Sequence, residues 1–127
     1  MICLVEDHQD TRRMYEEFLS ASFQVMAAAD GARALELMRT SPPDLLITDL
    51  SLPGIDGFEL VALIRKDPVL QRLPIICLSG YGGHAHEQRA LEAGCDRMIQ
   101  KPCMPDALTA IALEVMLSVR DRRMESS

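Results

Sequence analysis

Short apolar runs alternate with amphipathic stretches five times along the chain, and this alternation limits the fold more than any other feature. Ile2–Val5, Leu45–Thr48 and Ile75–Leu78 are continuously apolar. Strands buried on both faces carry that pattern, and parallel sheets covered by helices require it. Phe23–Ala28 and Arg97–Gln100 read as two further strands, the second ended by Lys101-Pro102. Residues 11–20 place Met14, Phe18 and Leu19 at helical spacing, with Asp10 as the expected N-cap. Asp30 caps a second helix, whose apolar side is Ala34, Leu35, Leu37 and Met38 and which Pro42-Pro43 stops. A third helix is expected over Phe58–Arg65. A fourth spans about Ala85–Ala93 and ends at Gly94, a residue suited to the C′ position. A fifth runs from Pro105, near N1, to about Val119. Strands that alternate with helices imply an α/β fold of three layers, (βα) repeated five times around a five-stranded parallel sheet.

Five such units use residues 1–120 and leave Asp121–Ser127 as a polar C-terminal tail that is expected to fray. The 127 residues are therefore one domain, large enough to bury about two thirds of its unfolded surface. The net charge is −6, which argues against binding nucleic acid, since phosphate contacts need clustered Lys and Arg. No apolar run approaches the roughly 18 residues of a membrane span. The start, Met1-Ile2-Cys3-Leu4-Val5 followed by two acids, is unlike a signal peptide, so a cytoplasmic location is expected. Cys3, Cys77, Cys95 and Cys103 form no CxxC pair and no zinc spacing. The acid excess lies in residues 1–60, which hold 11 acids and 4 bases. Lysine is scarce, with Lys66 and Lys101 alone among the 13 basic residues.

In open α/β sheets, ligands sit at the carboxyl ends of the strands. The residues that follow the strands are Glu6 and Asp7, Asp49, Ser79 and Lys101. Three carboxylates gathered at one edge repel one another and raise each other's pKa, and a hard divalent cation relieves that repulsion. Oxygen ligands alone and a small site suggest Mg²⁺. The ammonium and the hydroxyl suit a tetrahedral anion beside the metal, which points to phosphoryl chemistry. A carboxylate there can itself be the nucleophile and form an acyl phosphate.

These segments together resemble the receiver domain of two-component response regulators. The resemblance rests on Leu4-Val5-Glu6-Asp7, on Asp49-Leu50-Ser51-Leu52-Pro53-Gly54-Ile55-Asp56-Gly57, on Leu78-Ser79-Gly80 and on Lys101-Pro102. It spans about Ile2 to Val119. It implies a flavodoxin-like sheet of order 2-1-3-4-5. It implies that Asp49 accepts a phosphoryl group from a histidine kinase or a histidine phosphotransfer protein. Glu6, Asp7, Asp49 and the backbone carbonyl of Ser51 are then the Mg²⁺ ligands. Ser79 is the hydroxyl that moves onto a phosphoryl oxygen, and Lys101 pairs with the phosphoryl group. The Lys101-Pro102 bond is expected to be cis. Output is expected to pass through the fourth helix, fifth strand and fifth helix, roughly residues 85–119, to a downstream protein effector or a linked domain. The sequence does not settle the oligomeric state.

One position departs from the family pattern. Three residues before the lysine, where Tyr or Phe is common, stands Met98, which is flexible but has no ring or hydroxyl. Tyr81 is a second candidate for a switching role. Asp56 reads as a turn residue. His84 and His86 lie in a Gly-rich stretch without a third ligand, and His8 is a plain loop residue beside the acids. Arg120, Arg122 and Arg123 suit a helix C-terminus.

Three other functions compete. A haloacid-dehalogenase-type phosphohydrolase needs a second Asp two residues after its nucleophile, where this chain has Ser51. An FMN carrier needs a phosphate-cradling loop after the first strand, where this chain has Glu6-Asp7-His8-Gln9-Asp10. A receiver-like interaction module that is never phosphorylated would not need the full set of acids, Ser79 and Lys101. The expected protein is thus a signalling domain without turnover of external substrates.

Overall fold

The structure, a computed structural model, describes residues 1–80 and 84–125, with the backbone alone for residues 84, 86 and 119–125. Tyr81 and the glycines after it lie outside the described residues, as do the side chains of His84, His86, Arg120, Arg122 and Arg123. The elements run β1 (Ile2–Val5), α1 (Gln9–Ser20), β2 (Val25–Ala28), α2 (Gly31–Thr40), β3 (Leu45–Asp49), α3 (Gly57–Lys66), β4 (Ile75–Ser79), α4 (His84–Ala93), β5 (Arg97–Gln100) and α5 (Pro105–Glu125). All five strands are parallel and lie in the order β2-β1-β3-β4-β5.

The period of two along the strands divides the core between the two faces of the sheet. Cys3, Val5, Leu46, Ile75 and Cys77 face α2, α3 and α4 and pack with Leu35, Met38, Leu60, Ile64 and Ala90. Ile2, Leu4, Leu45, Ile47, Ile76 and Leu78 face α1 and α5 and pack with Tyr15, Leu19, Leu108, Ala112 and Val115. All of β1, β3 and β4 is buried. Each large side chain in these strands contributes about 1.5–3 kcal/mol of burial. That is why the three runs contain almost nothing polar before their last residues.

Several boundaries differ from the sequence reading, each for a local reason. α1 begins at Gln9, and its N-cap is His8, whose Nδ1 accepts from the Thr11 N–H at 3.3 Å. Asp10 lies in the first turn, where its charge suits the helix dipole equally well. β2 begins at Val25, because Phe23 still hydrogen-bonds back to Leu19 at the end of α1. α4 begins at His84, so both histidines stand on a helix. α5 continues to Glu125, so the expected frayed tail is helical through that residue. Arg, Met and Glu are good helix formers, and no Gly or Pro follows Val119 to stop the helix. Gly94 ends α4 at φ +116°, as its position suggested.

Asp56 does more than turn the chain. It is the N-cap of α3, and its Oδ1 accepts from the Glu59 N–H at 2.9 Å. Asp56→Ala is expected to cost about 1 kcal/mol, read as a lower urea midpoint at unchanged slope, with Asp56→Ser close to the parent chain.

Candidate functional site

The carboxyl ends of β1, β3, β4 and β5 bring the site together. β1 and β3 are neighbours in register, Val5 beside Thr48, so Glu6 and Asp49 emerge side by side. The Glu6 N–H binds the Ala28 carbonyl at 3.1 Å, and the Leu50 N–H binds the Leu78 carbonyl at 2.9 Å, which extends the ladder past both acids. The Lys101 N–H donates to the Ser79 carbonyl at 2.7 Å. That bond seats the lysine beside the end of β4, and the Lys101-Pro102 peptide is cis.

The Lys101 ammonium donates to Glu6 Oε1 at 2.6 Å and to Asp49 Oδ2 at 2.9 Å. Both acids are nearly sealed from water, Glu6 at 1% and Asp49 at 5% exposure. Asp7 is exposed, yet one carboxylate oxygen from each of Glu6, Asp7 and Asp49 lies within 4.8 Å of the others. Burial first, and then the neighbouring Asp49 carboxylate, push the Glu6 carboxyl up to about 7 against the pull of Lys101. Burial acts to lower the Lys101 ammonium, but its bonds to Glu6 and Asp49 prevail and hold it above the ordinary lysine value. The second oxygen of Glu6, Oε2, is buried and has no hydrogen-bond partner among the described residues.

A carboxyl oxygen left without a partner at such depth is costly unless something positive meets it. The donor set, all oxygen and all acidic, suits a hard divalent cation of Mg²⁺ type, and the orphaned Oε2 offers it a ligand that Lys101 has not taken. Removing Lys101 tests how far the two buried acids depend on it. Breaking a fully buried pair costs roughly 3–5 kcal/mol. The Lys101 side chain is 23% exposed, so Lys101→Ala is expected to cost about 2 kcal/mol in urea unfolding at neutral pH.

Ser79 closes β4 and is buried at 1% exposure on the sheet edge beside Lys101. Ser51 is exposed at the start of the β3–α3 loop, two residues past Asp49. Met98 is half-buried on β5, in register with Cys77, and packs against the core beneath α4. The structure therefore gathers Glu6, Asp7, Asp49, Ser79 and Lys101 at one edge and sets Met98 one layer away.

Two contributors escaped the sequence reading. Arg12 donates to the Glu6 carbonyl at 2.8 Å and to the Asp7 carbonyl at 3.4 Å, which fixes the backbone that carries both acids. Its place one turn into α1, directly after the acidic loop, is the signal that could have revealed it. Gly57 is the other. Its N–H binds the Leu50 carbonyl at 2.9 Å, and α3 approaches β3 so closely that a Cβ there would stand 2.5 Å from the Asp49 carbonyl oxygen.

A three-layer (βα)₅ domain of this strand order, with an acidic pocket and a lysine over its carboxyl edge, is a flavodoxin-like α/β domain. The chain belongs to the response regulator receiver domain family, whose pattern it matches over residues 2–113. It is thus a signalling domain of two-component systems. It is 38% identical over 109 residues to the sensor histidine kinase TmoS of Ectopseudomonas mendocina, covering 86% of this chain and 11% of TmoS. It is 31% identical over 117 residues to the response regulator Rre1 of a Synechocystis strain, covering 91% of this chain and 51% of Rre1. The chain thus spans only part of these curated relatives. The structure of the Vibrio cholerae chemotaxis protein CheY4 superposes with a TM-score of 0.85 at 28% identity, over 90% of this chain and 96% of that one. Among the described residues no helix is long and apolar enough to cross a membrane.

Proposed function

We propose that this receiver unit, residues 1–120 with 121–127 outside it, accepts a phosphoryl group on Asp49 from a phosphohistidine of a histidine kinase or phosphotransfer protein. The observation that carries the reading is the Lys101 ammonium bridging Glu6 and Asp49 beside an unpaired Glu6 oxygen. An Asp49 carboxylate oxygen attacks phosphorus in line with the N–P bond. That bond breaks, the imidazole leaves with its electron pair and takes up a proton, and an aspartyl phosphate remains. Lys101 sits where it can turn from the Asp49 carboxylate to the new phosphoryl oxygens. The Ser79 hydroxyl, at the end of the adjacent strand, would bind another of them. Glu6, Asp7, Asp49 and the Ser51 carbonyl would hold Mg²⁺, which when bound neutralises charge on the phosphoryl oxygens.

The reading extends to output. Ser79 ends β4 and Met98 lies on β5, so a shift of the Ser79 hydroxyl toward a phosphoryl group would be felt beneath α4 through Met98. The partner surface is then α4-β5-α5, where Arg97 and Glu114 already pair at 2.9 Å across β5 and α5 and Leu91 is exposed on α4. The domain works in the cytoplasm, turns over no external substrate, and passes its state to an effector protein or a linked domain.

The test is direct. The chain is incubated with Mg²⁺ and acetyl phosphate, and the label is mapped by mass spectrometry. A single acid-stable, hydroxylamine-sensitive phosphoryl group on Asp49, which does not form when Mg²⁺ is chelated beforehand, is the expected result. No label, or a label on another residue, overturns the proposal.

A further inference from the structure

Of the two aromatic residues on α1, Phe18 is exposed and Tyr15 is buried, at 3% exposure. The Tyr15 ring belongs to the core formed by Ile2, Leu4, Leu19 and Leu108. A phenylalanine would fill that space as well, so packing alone does not call for the hydroxyl. Buried tyrosine hydroxyls generally find a hydrogen-bond partner. This one donates to the Cys103 carbonyl at 2.9 Å, across 88 positions of sequence. Cys103 follows Lys101-Pro102 in the connection from β5 to α5, where Pro102 and Met104 are exposed. Proline has no N–H with which to tie the loop down. The backbone is instead held on either side of it. Before Pro102 the Lys101 N–H meets the Ser79 carbonyl at 2.7 Å. After Pro102 the Cys103 carbonyl meets the Tyr15 hydroxyl.

Arg12 and Tyr15 stand three residues apart and so lie on one side of α1. Arg12 holds the Glu6 and Asp7 carbonyls, and Tyr15 holds the loop that begins at Lys101. One helix thus anchors both walls of the site, the acidic and the basic. The Lys101 ammonium spans the gap between them, at 2.6 Å from Glu6 and 2.9 Å from Asp49. We propose that Tyr15 is a positioning residue for phosphoryl transfer, whose hydroxyl fixes the loop at Cys103 and so keeps the Lys101 ammonium over Asp49. The proposal rests on the reading of Asp49 as the phosphoacceptor. No atom of Tyr15 enters the reaction. Without the hydroxyl the ring keeps its place in the core, the Cys103 carbonyl loses its donor, and the loop backbone is held on the Ser79 side alone. The root of the Lys101 side chain then drifts relative to Asp49. Its four-carbon stem follows part of that drift, so the reaction slows without stopping.

The experiment compares the full chain with Tyr15→Phe, which keeps the ring and loses only the hydroxyl. Amide hydrogen exchange is followed first, by NMR and without a phosphodonor. The Lys101 N–H is expected to exchange at least about fivefold faster in the variant, relative to the amides of β1 and β3 in the same sample. With Mg²⁺ and acetyl phosphate both saturating, the rate of Asp49 labelling is expected to fall about fivefold. Mg²⁺ affinity, measured by calorimetry, is expected to stay within about twofold of the parent, because Arg12 still holds the acids. A parent chain that takes no label would sink the phosphoacceptor reading beneath the proposal. In a parent chain that does take it, unchanged exchange at Lys101 would overturn the role of Tyr15 alone. Exchange that quickens equally at Lys101 and in β1 and β3 would reduce the hydroxyl to general stability and overturn it too. So would a loosened loop with an unchanged labelling rate, or a loss of Mg²⁺ affinity as large as the loss of rate.

Discussion

Asp49→Asn is expected to abolish the acetyl phosphate label, on the order of 100-fold or more below the parent chain. The amide is nearly the same size and still fits a site that is 5% exposed, but it has no anionic oxygen to attack phosphorus. No neighbouring acid can replace it. Glu6 is deeper, has one oxygen bound by Lys101 at 2.6 Å and carries a carboxyl pushed up toward neutrality. Asp7 is exposed and lacks a lysine partner among the described residues. The substitution also removes one of three carboxylates that a cation would meet, so Mg²⁺ affinity, followed by calorimetry, is expected to fall at least about tenfold. The fold is expected to survive, because Lys101 keeps Glu6 as its partner. An unchanged urea midpoint, within about 1 kcal/mol, would separate lost chemistry from lost structure. Retention of the label in this variant would remove Asp49 from its proposed role.

The fold was legible because its signals are periodic and redundant. Buried strands need unbroken apolar runs, and the runs of β1, β3 and β4 are unbroken. Helices need a face, and Ala34, Leu35 and Met38 supply one for α2 that ends at Pro42-Pro43. What escaped is what single residues decide. His8 and Asp10 both suit the start of α1, and local geometry, not residue type, chose His8 as the cap. The polar composition of residues 121–125 resembles a tail, although nothing in it breaks a helix already formed from Pro105 and anchored by Leu108, Ala112 and Val115. In the site, listing the residues after each strand was enough to bring Glu6, Asp49, Ser79 and Lys101 together, since a parallel sheet carries all its carboxyl ends to one edge. That list could not show how the charges divide. Lys101 holds both Glu6 and Asp49, and the unpaired Glu6 oxygen exists only because the lysine takes the other one.

Gly57→Ala is expected to be the most damaging glycine-to-alanine change among the described residues. The added Cβ would stand 2.5 Å from the Asp49 carbonyl oxygen, 2.5 Å from Leu50 Cα and 3.0 Å from Leu50 Cδ2. The first two are backbone atoms, so no rotamer change relieves the contact. Either α3 moves off the sheet or the end of β3 bends. The first course loosens Leu60, Val61 and Ile64, all buried. The second carries Asp49 away from Lys101. Overpacking of a core commonly costs about 1–3 kcal/mol, and a clash with backbone falls at the upper end, so about 3 kcal/mol is expected in urea unfolding at constant slope. The rate of Asp49 labelling is expected to fall with it, since a displacement of about 1 Å is enough to spoil in-line attack. Gly80→Ala is the internal control. A Cβ there meets nothing within 4 Å, and the change is expected to stay within about 0.5 kcal/mol. If Gly57→Ala unfolded with the same midpoint as Gly80→Ala, α3 would not be seated on the end of β3, and the position of Asp49 would need another explanation.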